Sequence, residues 1–126
     1  MIQRKTKQRQ AILQVVEAAR RPLSPVEILQ QAQHLLPALG IATVYRALGT
    51  MLQEGLLVPV DIPGQSPRYE RAGLTHHHHC ACTGCGQVFE LEGCCYTGES
   101  AGIPAGFKVE AHDVILYGHC RSCQRR

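Results

Sequence analysis

The chain of 126 residues contains no tryptophan, two phenylalanines and four tyrosines. Its core must be built mainly from Leu, Val, Ile and Ala, and a chain this short buries only a modest one. A metal or a partner chain would supplement it. No apolar run approaches the ~20 residues needed to span a bilayer, and no signal-peptide stretch follows Met1-Ile2-Gln3-Arg4-Lys5. The expected compartment is cytoplasmic, without a membrane partner. Catalytic patterns are also missing. No His is followed two places on by Glu, as zinc deaminases require. There is no H-E-x-x-H, no G-x-S-x-G and no phosphate-cradling glycine loop. No enzyme is expected.

What is present is unevenly spread. The formal net charge is +3, yet Arg4, Lys5, Lys7, Arg9, Arg20 and Arg21 stand against Glu17 alone in the first 21 residues. A basic segment on a near-neutral body is the footprint of a polyanion contact. All seven Cys, and every His except His34, lie beyond Gly73. In a reducing compartment such cysteines read as metal ligands or free thiols rather than as disulfides.

The first seventy or so residues read as helices and a hairpin. Ile12, Val15, Val16 and Ala19 recur at helical spacing, and Pro22 stops that segment. Ser24-Pro25-Val26-Glu27 is a capping-box start, with Ile28, Leu29, Ala32, Leu35 and Leu36 as the buried stripe up to Pro37 and Gly40. A third helix runs from about Thr43 to Gly55. Short strands at 56–61 and 68–71 flank a turn rich in Gly and Pro. The pattern is that of a winged helix-turn-helix, a DNA-binding architecture. Residues 87–92 and 108–117 are strand candidates in a small second half. The expected fold is α+β, with a winged-helix domain over 1–72 and a metal-binding domain over 73–126.

Cys82-x-x-Cys85 and Cys120-x-x-Cys123 present four thiolates, the donor set of a structural zinc. His76-His77-His78-His79, if extended, points alternate imidazoles to opposite faces, offering one pair to each of two metal sites. Asp61, Glu70, Glu90, Glu99, His112 and the thiols Cys80, Cys94 and Cys95 are further candidate ligands.

The run Ile41-Ala42-Thr43-Val44-Tyr45-Arg46-Ala47-Leu48, followed by the four His and Cys82-x-x-Cys85-Gly86, closely resembles the ferric uptake regulator (Fur) family. Gly106-Phe107, His112, Tyr117-Gly118 and Cys120-x-x-Cys123 continue the match. The resemblance implies a homodimeric, metal-dependent transcription factor that binds a palindromic operator in double-stranded DNA and dimerises through a small α/β domain. Thr43, Tyr45 and Arg46 would lie on the recognition helix, and Arg4, Lys5, Lys7 and Arg9 would grip phosphates. A regulatory metal would sit near the hinge on Glu70, His77 and His79, with Glu90 a possible addition. Many members add a His just before the second helix, where this chain has Pro22, so Asp61 is the substitute candidate. An additional site would take His76, His78 and His112 plus a fourth ligand, for which Glu99 is the nearest acid and Cys94 or Cys95 are alternatives. Where many members carry Asp, this chain has His78. Nitrogen ligands with possible sulfur favour Zn²⁺ over Fe²⁺ or Mn²⁺. Zinc-responsive control of metal-uptake genes is therefore expected, with iron sensing, peroxide sensing or a thiol redox switch as alternatives. Peroxide-sensing members typically carry Asp at the position of Glu90.

Overall fold

The computed structural model describes residues 4–94 and 102–125. The chain forms two compact units, Met1–Leu74 and Thr75–Arg126.

In the first unit, α1 (Arg4–Ala19), α2 (Pro25–Ala32) and α3 (Ile41–Gln53) precede β1 (Leu57–Val60) and β2 (Arg68–Arg71). The stripe Ile12, Val15 and Val16 of α1 packs with Leu23, Ile28, Ala32, Leu39, Val44, Leu48, Met51 and Leu57 in one aliphatic cluster. The basic segment is not a separate arm, because Arg4 to Arg9 form the first turns of α1. The helix ends where Arg20 adopts left-handed backbone (φ 54°) ahead of Pro22.

A full capping box starts α2: Glu27 N–H donates to Ser24 Oγ (3.2 Å) and Ser24 N–H donates to Glu27 Oε1 (3.0 Å). The expected stripe is corrected at Leu35, while Leu36 packs partly buried against the core. The helix stops at Ala32, His34 and Leu35 N–H turn back to the carbonyls of Gln31 and Ala32, and Leu35 is exposed. Pro37 disfavours helical backbone at Leu36, and Leu39 enters the core where Leu35 does not.

Glu27 also binds the wing. Its carboxylate accepts from Arg21 Nη1 (3.0 Å) and from Arg68 Nη1 of β2, while Arg68 Nε donates to Gln65 Oε1 (3.0 Å) in the wing turn. Burial pushes the Glu27 pKa up, but the Ser24 N–H and the Arg68 and Arg21 guanidiniums outweigh it, and the net shift is downward. A carboxylate whose folded pKa lies below its unfolded one stabilises the fold above the unfolded value and loses that contribution as pH falls through the folded one. Acid titration of Glu27→Gln followed by circular dichroism should therefore show a less stable helical signal at pH 7. Its decline below pH ~4.5 should be shallower than in the parent. An unchanged acid limb would show that the Glu27 charge contributes nothing.

The hairpin β1–β2 is antiparallel, with Pro59 opposite Tyr69. Tyr69 exchanges both backbone hydrogen bonds with Leu23 on its other side (2.8 and 3.0 Å). Pro59 thus occupies a non-hydrogen-bonded position, where its missing N–H costs no ladder bond.

The second unit holds β3 (His78–Cys82), β4 (Val88–Leu91), β5 (Ile115–Gly118) and one helical turn, α4 (Arg121–Gln124). The sheet order is β4-β3-β5, with β4 antiparallel and β5 parallel to β3. The strand expected over 108–117 forms only from Ile115. β3 pairs with β5 at four positions, His79 to Cys82, and the Val114 carbonyl accepts from His79 N–H (3.3 Å), so the ladder does not reach residues 108–113. Among the described residues of this unit, only His78, Ala81, Cys82 and Val88 are buried. No helix among the described residues is long and apolar enough to cross a membrane.

Candidate metal centres

The parallel pairing of β3 with β5 organises the chemistry. It puts the two C-terminal strand ends side by side, so the turn after Cys82 meets the segment after Gly118. Thr83 N–H donates to the Gly118 carbonyl at 2.8 Å. The Sγ atoms of Cys82, Cys85, Cys120 and Cys123 all lie within 4.8 Å of one another, with Cys85 and Cys120 3.8 Å apart. A tetrahedron of ~2.3 Å Zn–S bonds has edges of about 3.8 Å. The donor set and its size fit zinc.

Backbone donors prepare the site for anionic sulfur. Cys82 Sγ accepts from Cys120 N–H (3.3 Å) and Cys85 N–H (3.5 Å). These bonds, Cys120 first, pull the Cys82 thiol down to about 5. Cys123 is pushed up to about 12, chiefly by its contact with the Cys82 sulfur. One thiolate is welcome and the next is opposed, a conflict that a divalent cation removes.

Gly84 makes the approach possible. A Cβ there would lie 2.8 Å from Cys123 Sγ and 3.0 Å from its Cβ. Gly84→Ala should displace Cys123 and weaken zinc retention by about tenfold or more, read by chelator competition. Retention equal to the parent would show that the knuckle can give way. The C-T-G-C spacing showed the thiols but not this constraint, because the crowding atom belongs to the other knuckle.

At the opposite end of the strands the same pairing assembles a second cluster. His76 and His112 are 36 residues apart, the offset of the paired residues His79 and Ile115. Their Nε2 atoms lie 3.1 Å apart. Cys94 Sγ stands 3.0 Å from His112 Nε2 and 3.2 Å from His78 Nε2, and all four residues offer donor atoms within 4.8 Å of one another. His78 is buried, and its pKa is lowered by desolvation and by neighbouring imidazoles. Its Nδ1 accepts from Val114 N–H at 3.1 Å, so the neutral ring carries its proton on Nε2, toward Cys94. A cation at Nε2 requires the ring's proton to move to Nδ1, which gives up the bond from Val114 N–H. Glu99 and Cys95, the other expected candidates for the fourth position, lie outside the described residues.

His77 and His79 occupy the other side, their rings 4.9 Å apart. Glu90 is the cross-strand partner of His79, and its Oε1 lies 3.7 Å from His77 Nε2. His77 Nδ1 donates to the Thr75 carbonyl at 2.7 Å, which fixes the tautomer with Nε2 free of its proton for a metal. Glu70 is buried on β2 of the first unit. Asp61 sits exposed in the loop leaving β1, and no donor cluster among the described residues includes it.

On α3, burial of Val44, Ala47, Leu48 and Met51 turns Tyr45 and Arg46 outward. Arg46 Nη2 donates to Thr43 Oγ1 at 3.1 Å, and Tyr45 is 55% exposed. Lys5 and Lys7 are exposed on α1, where Arg4 also lies. α1 lies against α3, and Arg9 pairs with Glu54 at the end of that helix. The ion triad at Glu27 had no sequence signal beyond the capping box, because Arg68 is 41 residues away.

Comparison with known proteins agrees with this architecture. The model of the family described as "Ferric uptake regulator family" matches residues 2–117. The ferric uptake regulation protein of Campylobacter jejuni is 30% identical over 125 residues, covering 96% of this chain and 80% of that one. A solved structure of a zinc-bound manganese uptake regulator superposes with TM-score 0.75 at 25% identity, covering 94% of this chain and 91% of that one. FurB of Mycobacterium tuberculosis, described as a zinc uptake regulator, superposes with TM-score 0.54 at 29% identity, covering 95% of each chain. With its winged-helix unit, its four-sulfur cluster and a family match over nearly its whole length, the chain belongs to the ferric uptake regulator family of metalloregulators.

Proposed function

We propose that the chain is a zinc-responsive repressor of metal-uptake genes that binds a palindromic DNA operator as a homodimer. The observation that carries this reading is the coexistence, in one small unit, of a closed four-sulfur cluster and separate imidazole clusters. The first suits a structural Zn²⁺, the others an exchangeable one. The regulatory metal is held by His77, His79 and Glu90 of the second unit, and its binding selects the arrangement in which the two recognition helices of a dimer stand one DNA turn, ~34–36 Å, apart. Thr43, Tyr45 and Arg46 contact the major groove, while Arg4, Lys5 and Lys7 contact phosphates. A homodimer is supported by β5, an edge strand among the described residues, which leaves Leu116 and Tyr117 about half exposed. Such an edge calls for cover.

The test is selection from a random double-stranded DNA pool in solutions buffered separately with Zn²⁺, Fe²⁺ or Mn²⁺. Enrichment of an inverted repeat with Zn²⁺ at the lowest free-metal level supports the reading, and metal-independent enrichment overturns it. Iron is the second reading, because the mixed imidazole and carboxylate set at His77, His79 and Glu90 also suits Fe²⁺. Enrichment with Fe²⁺ alone would select it.

A further inference from the structure

We infer that Cys94 Sγ is a direct metal ligand and that the His76, His78, Cys94 and His112 cluster is a thiolate site selective for Zn²⁺ over Mn²⁺. The resemblance stated above leaves the fourth ligand open between the acid Glu99 and the thiols Cys94 and Cys95, and the fold brings Cys94 to the imidazoles. The sulfur arrives from outside the His run: Cys94 follows β4 and reaches back to His78, 16 residues earlier, and forward to His112, 18 residues later. Two chain segments far apart in sequence thus converge on one thiol that lies outside both C-x-x-C pairs.

The spacing fits a tetrahedral ion. Donors on a tetrahedral zinc lie about 3.3 Å apart for two nitrogens and about 3.5 Å for nitrogen and sulfur. The measured contacts are 3.1 Å between His76 and His112, and 3.0 and 3.2 Å from Cys94 to His112 and His78. A cation enters by moving each donor outward a few tenths of an ångström. Cys94 is exposed and His78 is buried, so the cation reaches the cluster from the thiol side. Three neutral imidazoles and one thiolate leave a Zn²⁺ site with net charge +1. A soft sulfur in the set favours Zn²⁺, whereas Mn²⁺ prefers carboxylate and water oxygens. The assignment concerns the cation alone and stands whether or not that cation controls DNA binding.

The test uses the full chain with Zn²⁺ in its four-sulfur site, confirmed by elemental analysis, and Co²⁺ as the probe of the second cluster. The parent should develop a near-ultraviolet sulfur-to-cobalt charge-transfer band together with visible ligand-field bands, both abolished by added Zn²⁺. In Cys94→Ser the charge-transfer band should vanish, and Zn²⁺ affinity at this cluster should fall by about 10- to 100-fold or more, since even an outer-shell change costs that much. Cys94→His retains a ligand and guards against misfolding; it should keep the visible bands and lose only the near-ultraviolet one. Cys94→Asp should narrow the preference for Zn²⁺ over Mn²⁺. No near-ultraviolet band in the parent, its survival in Cys94→Ser and Cys94→His, or its loss in Cys95→Ser with Cys94 intact would each overturn the assignment. DNA binding enters none of these readouts, so failure here is distinct from failure of the repressor reading.

Discussion

Cys82→Ser should unfold the second unit and abolish DNA binding by removing the dimer, while leaving the winged-helix unit folded. The two cores differ greatly in size. The first unit closes over Ile12, Leu23, Ile28, Leu48, Met51 and Leu57, each nearly inaccessible, and the second buries only His78, Ala81, Cys82 and Val88 among its described residues. A net stability of about 5–15 kcal/mol is usual for a domain. Binding of a structural zinc contributes about 10–16 kcal/mol in small zinc folds, so such a site can supply the whole margin. Cys82 is the most costly ligand to lose, since its sulfur also accepts the N–H groups of Cys85 and Cys120 that hold the two knuckles together. Sedimentation should show monomer, elemental analysis should show loss of the retained zinc, and α1–α3 should keep their helical circular dichroism. A zinc-retaining, folded dimer would remove the structural role from this cluster.

His77→Ala should have the opposite profile. The dimer and its retained zinc should survive, and DNA affinity should cease to respond to metal. Coupling between an effector and a ligand site is worth about 1–3 kcal/mol, or 5- to 150-fold in affinity, and that factor should collapse toward one. His77 is the sharpest probe of the proposed regulatory site because the Thr75 carbonyl holds its Nδ1 proton and leaves Nε2 to bind a metal. His79, its neighbour across 4.9 Å, should behave alike. A metal response equal to the parent's in DNA titrations would remove His77 from the mechanism. Together the two variants separate what holds the second unit together from what switches the protein.

Features carried by local spacing were legible in the sequence. The stripe of α1, the capping box Ser24–Glu27 and the hairpin turn each depend on residues within a turn or two of one another, and each forms as the local pattern requires. The two C-x-x-C pairs were readable for the same reason, since each knuckle is local and four sulfurs imply one ion. The length of α2 was less legible. Apolar spacing continued through Leu35 and Leu36, and only the turn before Pro37 decided that Leu39, not Leu35, enters the core.

What the tertiary structure alone decided depends on pairing between distant segments. The parallel register of β3 with β5 fixes which His meets His112 and brings the two knuckles to one end of the sheet. Nothing in the spacing of a 34-residue intervening segment could set that register. The same holds for Cys94 joining the imidazoles of His78 and His112, for Cys123 forbidding a side chain at Gly84, and for Glu54 pairing with Arg9. Sequence determined the kinds of donor this chain carries and their local order. The fold determined which donors share an ion, because a coordination sphere a few ångströms wide is specified by strand pairing rather than by distance along the chain.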